Sequence, residues 1–510
     1  MPGWGLRRLF GGGAVSLLEW GVDGSPAAMA PPTGLVERVW ARDPSAWGPG
    51  EDDPASRLGW LDLPATMQEQ IDDLTAFATE ATADIDHAVL LGMGGSSLAP
   101  EMLAQIYGGR GRISLEVLDS THPAQIAEVT SRIDPTRTLF LVSSKSGGTI
   151  ETMSLYRYFR RLAPPDRFAA ITDPGTSLQA LGEAERFRRV FINPPDIGGR
   201  YSALSLFGLV PAALLGIDLG ALCASASAAA DECRKDGGSN PGLAIGAALA
   251  EWADAGRNKL TFRTSADLVS LGDWAEQLIA ESTGKEGKGI APIVGEPVLE
   301  AGYGPDRAFA HLSRDASPVE TPSVALSVDA SNLGGVLFVW EFATAIAGSL
   351  LGINAFDQPD VESAKRAAKD ALASGAGAEW PTDDPASFFQ GVAPGELACL
   401  LAFAPRSRRT EAVMLAARTK LVASSRVATS TGFGPRYLHS IGQLHKGGPE
   451  PVRALVILDT PTEDLPIPDS GYSFGRLIAA QAAGDASALD TAGRSVARTT
   501  WAAFESWART

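Results

Sequence analysis

The stretch EQLIAESTGKEGKG (276–289) reads as a helix that leaves through a Gly-rich turn, with Glu281 at the point of exit. A carboxylate placed there, partly desolvated, suits general-base work; a solvated helix-end glutamate is the plainer reading of the same spacing. In DIGGRYSALSLFG (196–208), Arg200 follows a flexible Gly-Gly and precedes an apolar helix. From there a guanidinium can reach a crevice and stabilise a developing oxyanion, or else pair with a surface carboxylate.

Two further stretches suit a ligand rather than a reaction. VSSKSGGTIET (142–152) follows an apolar strand and leads into a helix near Thr149, so free N–H groups and the positive helix end point at the strand ends. Gly147 and Gly148 let a phosphate approach the backbone, while Ser144, Ser146 and Thr149 add hydroxyl donors; an ordinary Ser-capped helix start is the alternative. No GxxxxGK[ST] pattern accompanies it, which removes the main argument for a nucleoside triphosphate. LLGMGGSSLAPEML (90–103) is a second loop of this kind, with Ser96 and Ser97 as candidate caps of the next helix. It fails as GxGxxG, so a dinucleotide is a weak reading, and the two loops together suit a polar, phosphorylated small molecule.

The elements that must position these loops follow from the pattern between them. From about residue 86, apolar runs (HAVLLGM, SLEVLDS, RTLFLVSS, RFAAITDP, RRVFINPP) alternate with segments of helical spacing. That alternation implies an α/β fold with mainly parallel sheets covered by helices, the ligand crevice lying at the strands' carboxyl ends. A second series, NKLTFRTS, PSVALSVD, LACLLAFAP and RALVILDTP, begins near 258, and two similar domains are the natural reading. The boundary falls in the alanine-rich helix and loop at 223–242, giving 34–230 with a helical entry segment and 231–510 with C-terminal helices. Residues 1–33 read as a variable, loosely structured extension that matches a secretion signal poorly.

Composition limits the partners. A net charge of −17 and a pI near 4.8 disfavour nucleic acid and anionic membranes, whereas a small anion is allowed in a locally basic pocket. The apolar stretch 334–356 carries Glu341 in its middle and reads as a buried core helix rather than a membrane span. Cys223, Cys233 and Cys399 have neither CxxC spacing nor neighbouring histidines, so no disulfide framework or zinc site is suggested, and a reducing cytoplasm fits best.

Taken together and in order, these motifs resemble the phosphoglucose isomerase family. GMGGSS is similar to its sugar-binding loop, SSKSGGTIET to its phosphate loop, DIGGRYSALSLFG to its first signature, QLIAESTGK to its base-bearing loop, and LLGINAFDQPDVESAK (350–365) to its second signature. The resemblance implies two sugar-isomerase (SIS) domains, usually in a homodimer, interconverting glucose 6-phosphate and fructose 6-phosphate without metal or organic cofactor. It implies Glu281 as the base between C2 and C1, Arg200 as stabiliser of the enediolate and Lys365 as a helper in ring opening. Ser144, Lys145, Ser146 and Thr149 would hold the phosphate with Gln277 nearby, and Gly95 and Ser96 would face the sugar.

Two departures stand out. The family's ring-opening histidine lies between the base loop and the second signature, where this chain has only His311 in RAFAHLSRDA. HSIGQLHKGG (439–448) looks like the same motif moved later in the chain, which makes His439 the expected residue, His445 the second and His311 the third. The histidine could act in its own or a neighbouring subunit. Asp360 replaces a glycine usual in the second signature and suits a helix start. The displaced motif and the entry segment ERVWARDPSAW…RLGWLDLP (37–64) further resemble the isomerase half of bacterial transaldolase–isomerase fusions. The alternatives are a dual phosphoglucose/phosphomannose isomerase, with the epimer decided near Thr283 and the histidine, and a non-catalytic sugar-phosphate sensor.

Overall fold

The computed structural model describes residues 7–9, 18–24, 32–50, 53–108, 113–299, 302–314, 320–359, 370–372, 379–449 and 451–510. All five apolar runs of the first series become strands of one parallel sheet, in the order Ser114–Leu118, His87–Gly92, Thr138–Ser143, Phe168–Thr172, Arg189–Ile192. Its central strands are apolar on both faces because both are covered. Ala88 and Leu90 enter the main core, while Val89 and Leu91 pack with Phe140, Phe159 and Phe168 on the other side.

The second series is divided between two sheets. NKLTFRTS and PSVALSVD supply Lys259–Thr264 and Ser323–Ser327 of a six-stranded sheet, whereas LACLLAFAP and RALVILDTP supply Leu397–Phe403 and Val452–Leu458 of a four-stranded parallel sheet. Alternation along the chain reveals strands and helices but not which strands pair, since pairing is settled by contacts distant in sequence. The 1–33 stretch, expected to be loose, contributes a strand: Leu18–Asp23 runs antiparallel to Ser323–Ser327. Leu18 and Trp20 alternate into the core, and the strand covers an edge whose N–H and C=O groups would otherwise be open.

Helix Leu333–Leu350 lies inside the protein, against the helices Leu219–Cys233 and Pro241–Asp254, with the Trp40 ring 5.8 Å from Phe342. Those two helices, with the turn between them, occupy the 223–242 stretch and share the core that runs from the five-stranded to the six-stranded sheet. Glu341 is fully buried there, and among the described residues neither carboxyl oxygen has a hydrogen-bond partner; burial pushes its carboxyl well above the usual range. The three cysteines are free and buried.

Candidate active site

Helix Val269–Thr283 carries Gln277 and Glu281 one turn apart on one face. Gln277 Nε2 donates to Glu281 Oε2 at 3.0 Å and to the His439 carbonyl at 2.8 Å. Glu281 is 6% exposed, so the solvated helix-end reading does not hold. Arg200, in the turn Gly199–Tyr201 and 3% exposed, reaches it from the other side, Nη1 to Oε1 at 3.5 Å. Its Nε donates to Ser282 Oγ at 2.8 Å and its Nη2 to the carbonyls of Ala355 at 2.6 Å and Asp357 at 3.2 Å. The guanidinium is thereby pinned, with Nη1 as the nitrogen turned to the base.

Gly95 serves this arrangement through packing. A Cβ there would stand 1.9 Å from the Gly199 carbonyl oxygen, so only glycine lets the sugar loop lie against the arginine loop. Ser96, 8% exposed, closes the turn Gly94–Ser96. Ser97 does not cap the helix Leu98–Tyr107 as expected: its backbone departs from the extended capping geometry, and its hydroxyl donates instead to Gly94 O at 3.1 Å and Asp119 Oδ2 at 3.3 Å.

The phosphate-loop segment sits at the carboxyl end of Thr138–Ser143, before helix Ile150–Arg160. That helix begins without a side-chain cap, because the Thr149 hydroxyl is shared with Ser144 Oγ at 2.9 Å, so the ordinary capped start is not what the loop forms. Gly147 has φ +69°, and a Cβ there would lie 2.7 Å from Thr176 Cβ, whereas at Gly148 a Cβ would meet nothing within 4 Å. The protein itself therefore requires glycine only at the first of the pair. Ser146 is exposed at the loop surface. The Lys145 ammonium pairs with Asp173 and donates to the Pro195 carbonyl at 3.1 Å, so it braces the loop as well as giving it positive charge.

Of the three histidine candidates, His439 is the one linked to Glu281, through the Gln277 amide that donates to both. Its carbonyl is the Gln277 acceptor, and its Nε2 lies 3.1 Å from Glu151 Oε1. The turn Arg436–His439 is anchored to the first sheet by Arg436, which bonds Asp119 Oδ2 at 2.7 Å and pairs with Glu101. His445 is fully buried, 3.3 Å from Ser430 Oγ, and burial, aided by Lys446 and Arg494, pushes it down to about 3; it is a neutral core histidine. His311 lies on Arg307–Ser313 of the six-stranded sheet, 3.4 Å from Glu320.

Lys365 and Asp360 lie outside the described residues. The start of their segment is gripped by two cations, because Lys285 donates to the carbonyls of Asn354, at 2.7 Å, and Asp357, the latter shared with Arg200. Burial, with Arg200 beside it, pushes the Lys285 ammonium down to about 7. The Thr283 hydroxyl donates to the Ile279 carbonyl at 2.8 Å and accepts from the Ile290 N–H at 3.0 Å, closing onto its own turn.

Sequence reading missed three of these groups. Glu151 stands inside SSKSGGTIET, where an acid in a first helical turn reads simply as a dipole partner. Lys285 stands at the end of ESTGK, in the Gly-rich turn, where a lysine reads simply as a solvated charge. Gln481, which donates to Glu151 at 2.7 Å, has no local signal at all, lying in the distant helix Phe474–Thr491.

The sequence profile of the phosphoglucose isomerase family matches residues 61–286. A glucose-6-phosphate isomerase of Rubrobacter xylanophilus is 29% identical over 405 residues, 65% of this chain and 92% of the relative. One of Heliobacterium modesticaldum is 30% identical over 390 residues, 60% of this chain and 85% of the relative. The crystal structure of a hypothetical protein from Thermus thermophilus superposes with a TM-score of 0.57 at 26% identity, covering 66% of this chain and 94% of its own. With a 30% identical relative covered over most of its length, the chain belongs to the phosphoglucose isomerase family.

Proposed function

We propose that the chain interconverts glucose 6-phosphate and fructose 6-phosphate through a cis-enediol. The observation that carries this reading is Glu281, a buried carboxylate set between the Arg200 guanidinium and the Gln277 amide with His439 on the same network. Glu281 takes the proton from C2 of the open aldose and returns it to C1, and the reverse direction uses the same group. Arg200 Nη1 faces the oxygen on which charge develops. His439 moves the proton that opens the ring, with Lys365 as helper in the role that the family resemblance implies. The phosphate sits at Ser144–Thr149, where Ser146 and the helix terminus bind it remote from the reacting carbons and orient them.

A coupled assay with EDTA present, following fructose 6-phosphate to glucose 6-phosphate with mannose 6-phosphate as second substrate, tests this. Sustained turnover of fructose 6-phosphate is expected. A folded protein that binds the sugar phosphate and turns over nothing would replace the isomerase with a sensor. A homodimer in the cytoplasm completes the proposal, to be checked by light scattering and cell fractionation. With Glu281 and His439 assigned to the site of one chain, mixing Glu281→Gln and His439→Asn subunits should restore no activity.

A further inference from the structure

We propose that Gln481 is a positioning residue for His439, acting through Glu151; the inference rests on the isomerase reading above. Glu151 Oε1 accepts from two donors at once, His439 Nε2 at 3.1 Å and Gln481 Nε2 at 2.7 Å. The Gln481 amide is itself oriented, because Thr121 Oγ1 donates to its Oε1 at 2.7 Å and leaves the NH2 end facing the carboxylate. Gln481 is 2% exposed and Thr121 fully buried, so water does not compete for these bonds. One turn further along the same helix, Asp485 accepts from Tyr437 Oη at 2.5 Å and Lys446 Nζ at 2.6 Å. Helix Phe474–Thr491 thus holds the 436–447 segment on both sides of His439.

The chemistry that follows concerns which ring nitrogen carries the proton. A carboxylate only accepts, so Glu151 holds the tautomer with hydrogen on Nε2 and leaves Nδ1 for proton exchange with the sugar. With Gln481 on the same oxygen, the carboxylate cannot turn away from the ring. The other charged groups around the histidine are engaged elsewhere. Arg436 of its own turn pairs with Asp119 and Glu101, and Glu281, reached through Gln277, faces Arg200.

Gln481→Met keeps the volume and removes the donor. With wild type active, it should lower kcat about tenfold while KM stays within about twofold. Ring-nitrogen NMR should at the same time show His439 as a mixture of tautomers. The chain has five histidines, and the His439→Asn spectrum assigns the signal. Thr121→Val should shift the same two readouts in the same sense by about twofold to threefold. A folded Gln481→Met protein with wild-type kcat and wild-type ring nitrogens would overturn the proposal. If that variant does not fold, Gln481→Glu, which keeps the shape but opposes Glu151 with an acid, must show the altered ring signal or the proposal fails. A wild type without isomerase activity would count against the functional reading, while the ring signal would still decide whether Gln481 holds the histidine.

Discussion

The crevice at Glu281 and the core helix at Glu341 bury the same side chain and make opposite use of it. Glu281 has a guanidinium at 3.5 Å and an amide donor at 3.0 Å, so both of its oxygens have polar partners. Glu341 has no hydrogen-bond partner among the described residues, and burial alone keeps its proton on. The histidines repeat the contrast within one short segment: His439 faces a carboxylate at the crevice, whereas His445 is sealed between Ser430 and the Tyr437 ring. Burial by itself does not make a reactive group; burial with a charge partner at one open end does.

That contrast can be broken most severely at the two acids. Glu281→Gln should lower kcat by about three to four orders of magnitude while calorimetry still detects sugar-phosphate binding, and Glu341→Gln should leave kcat within about twofold. Equal losses from both would erase the distinction. The histidines come next: His439→Asn should cost about a hundredfold in kcat, while His445→Leu should stay within about threefold and lower Tm instead.

Smaller effects sharpen the picture. Ser146→Ala should raise KM about tenfold with kcat nearly unchanged, since an exposed loop hydroxyl contributes to binding a phosphate and not to the proton transfer. The smallest effect is thermodynamic and concerns Glu341. Its carboxyl is raised in the fold, so the folded and unfolded states are both protonated in acid and differ only above the ordinary glutamate range. There the unfolded chain loses its proton and the fold does not, and stability falls as pH rises. Glu341→Gln removes that dependence. By calorimetry its Tm should match wild type at about pH 4 and exceed it by a few degrees at about pH 8. A constant difference across pH would show that Glu341 has a partner.

The five-stranded sheet was legible because each of its strands is a short apolar run ended by turn residues, and its loops carry chemistry in residue types that have no other common use together. Glu281, Arg200 and the 144–149 loop were readable for that reason: each sits at the end of a local element whose pattern announces it. The six-stranded sheet was not, since it joins Leu18–Asp23 to strands some three hundred residues away. The same limit governed the site. Sequence placed three histidines in competition, and the anchoring of Arg436 to Asp119 and Glu101, which holds the His439 turn, is invisible in it. It could not place Gln481 beside Glu151, because hydrogen bonds between elements far apart in the chain leave no period or spacing in the sequence. Local residue pattern determined the chemistry that the chain has available, and tertiary packing decided which copies of each residue type are desolvated, paired and brought together to use it.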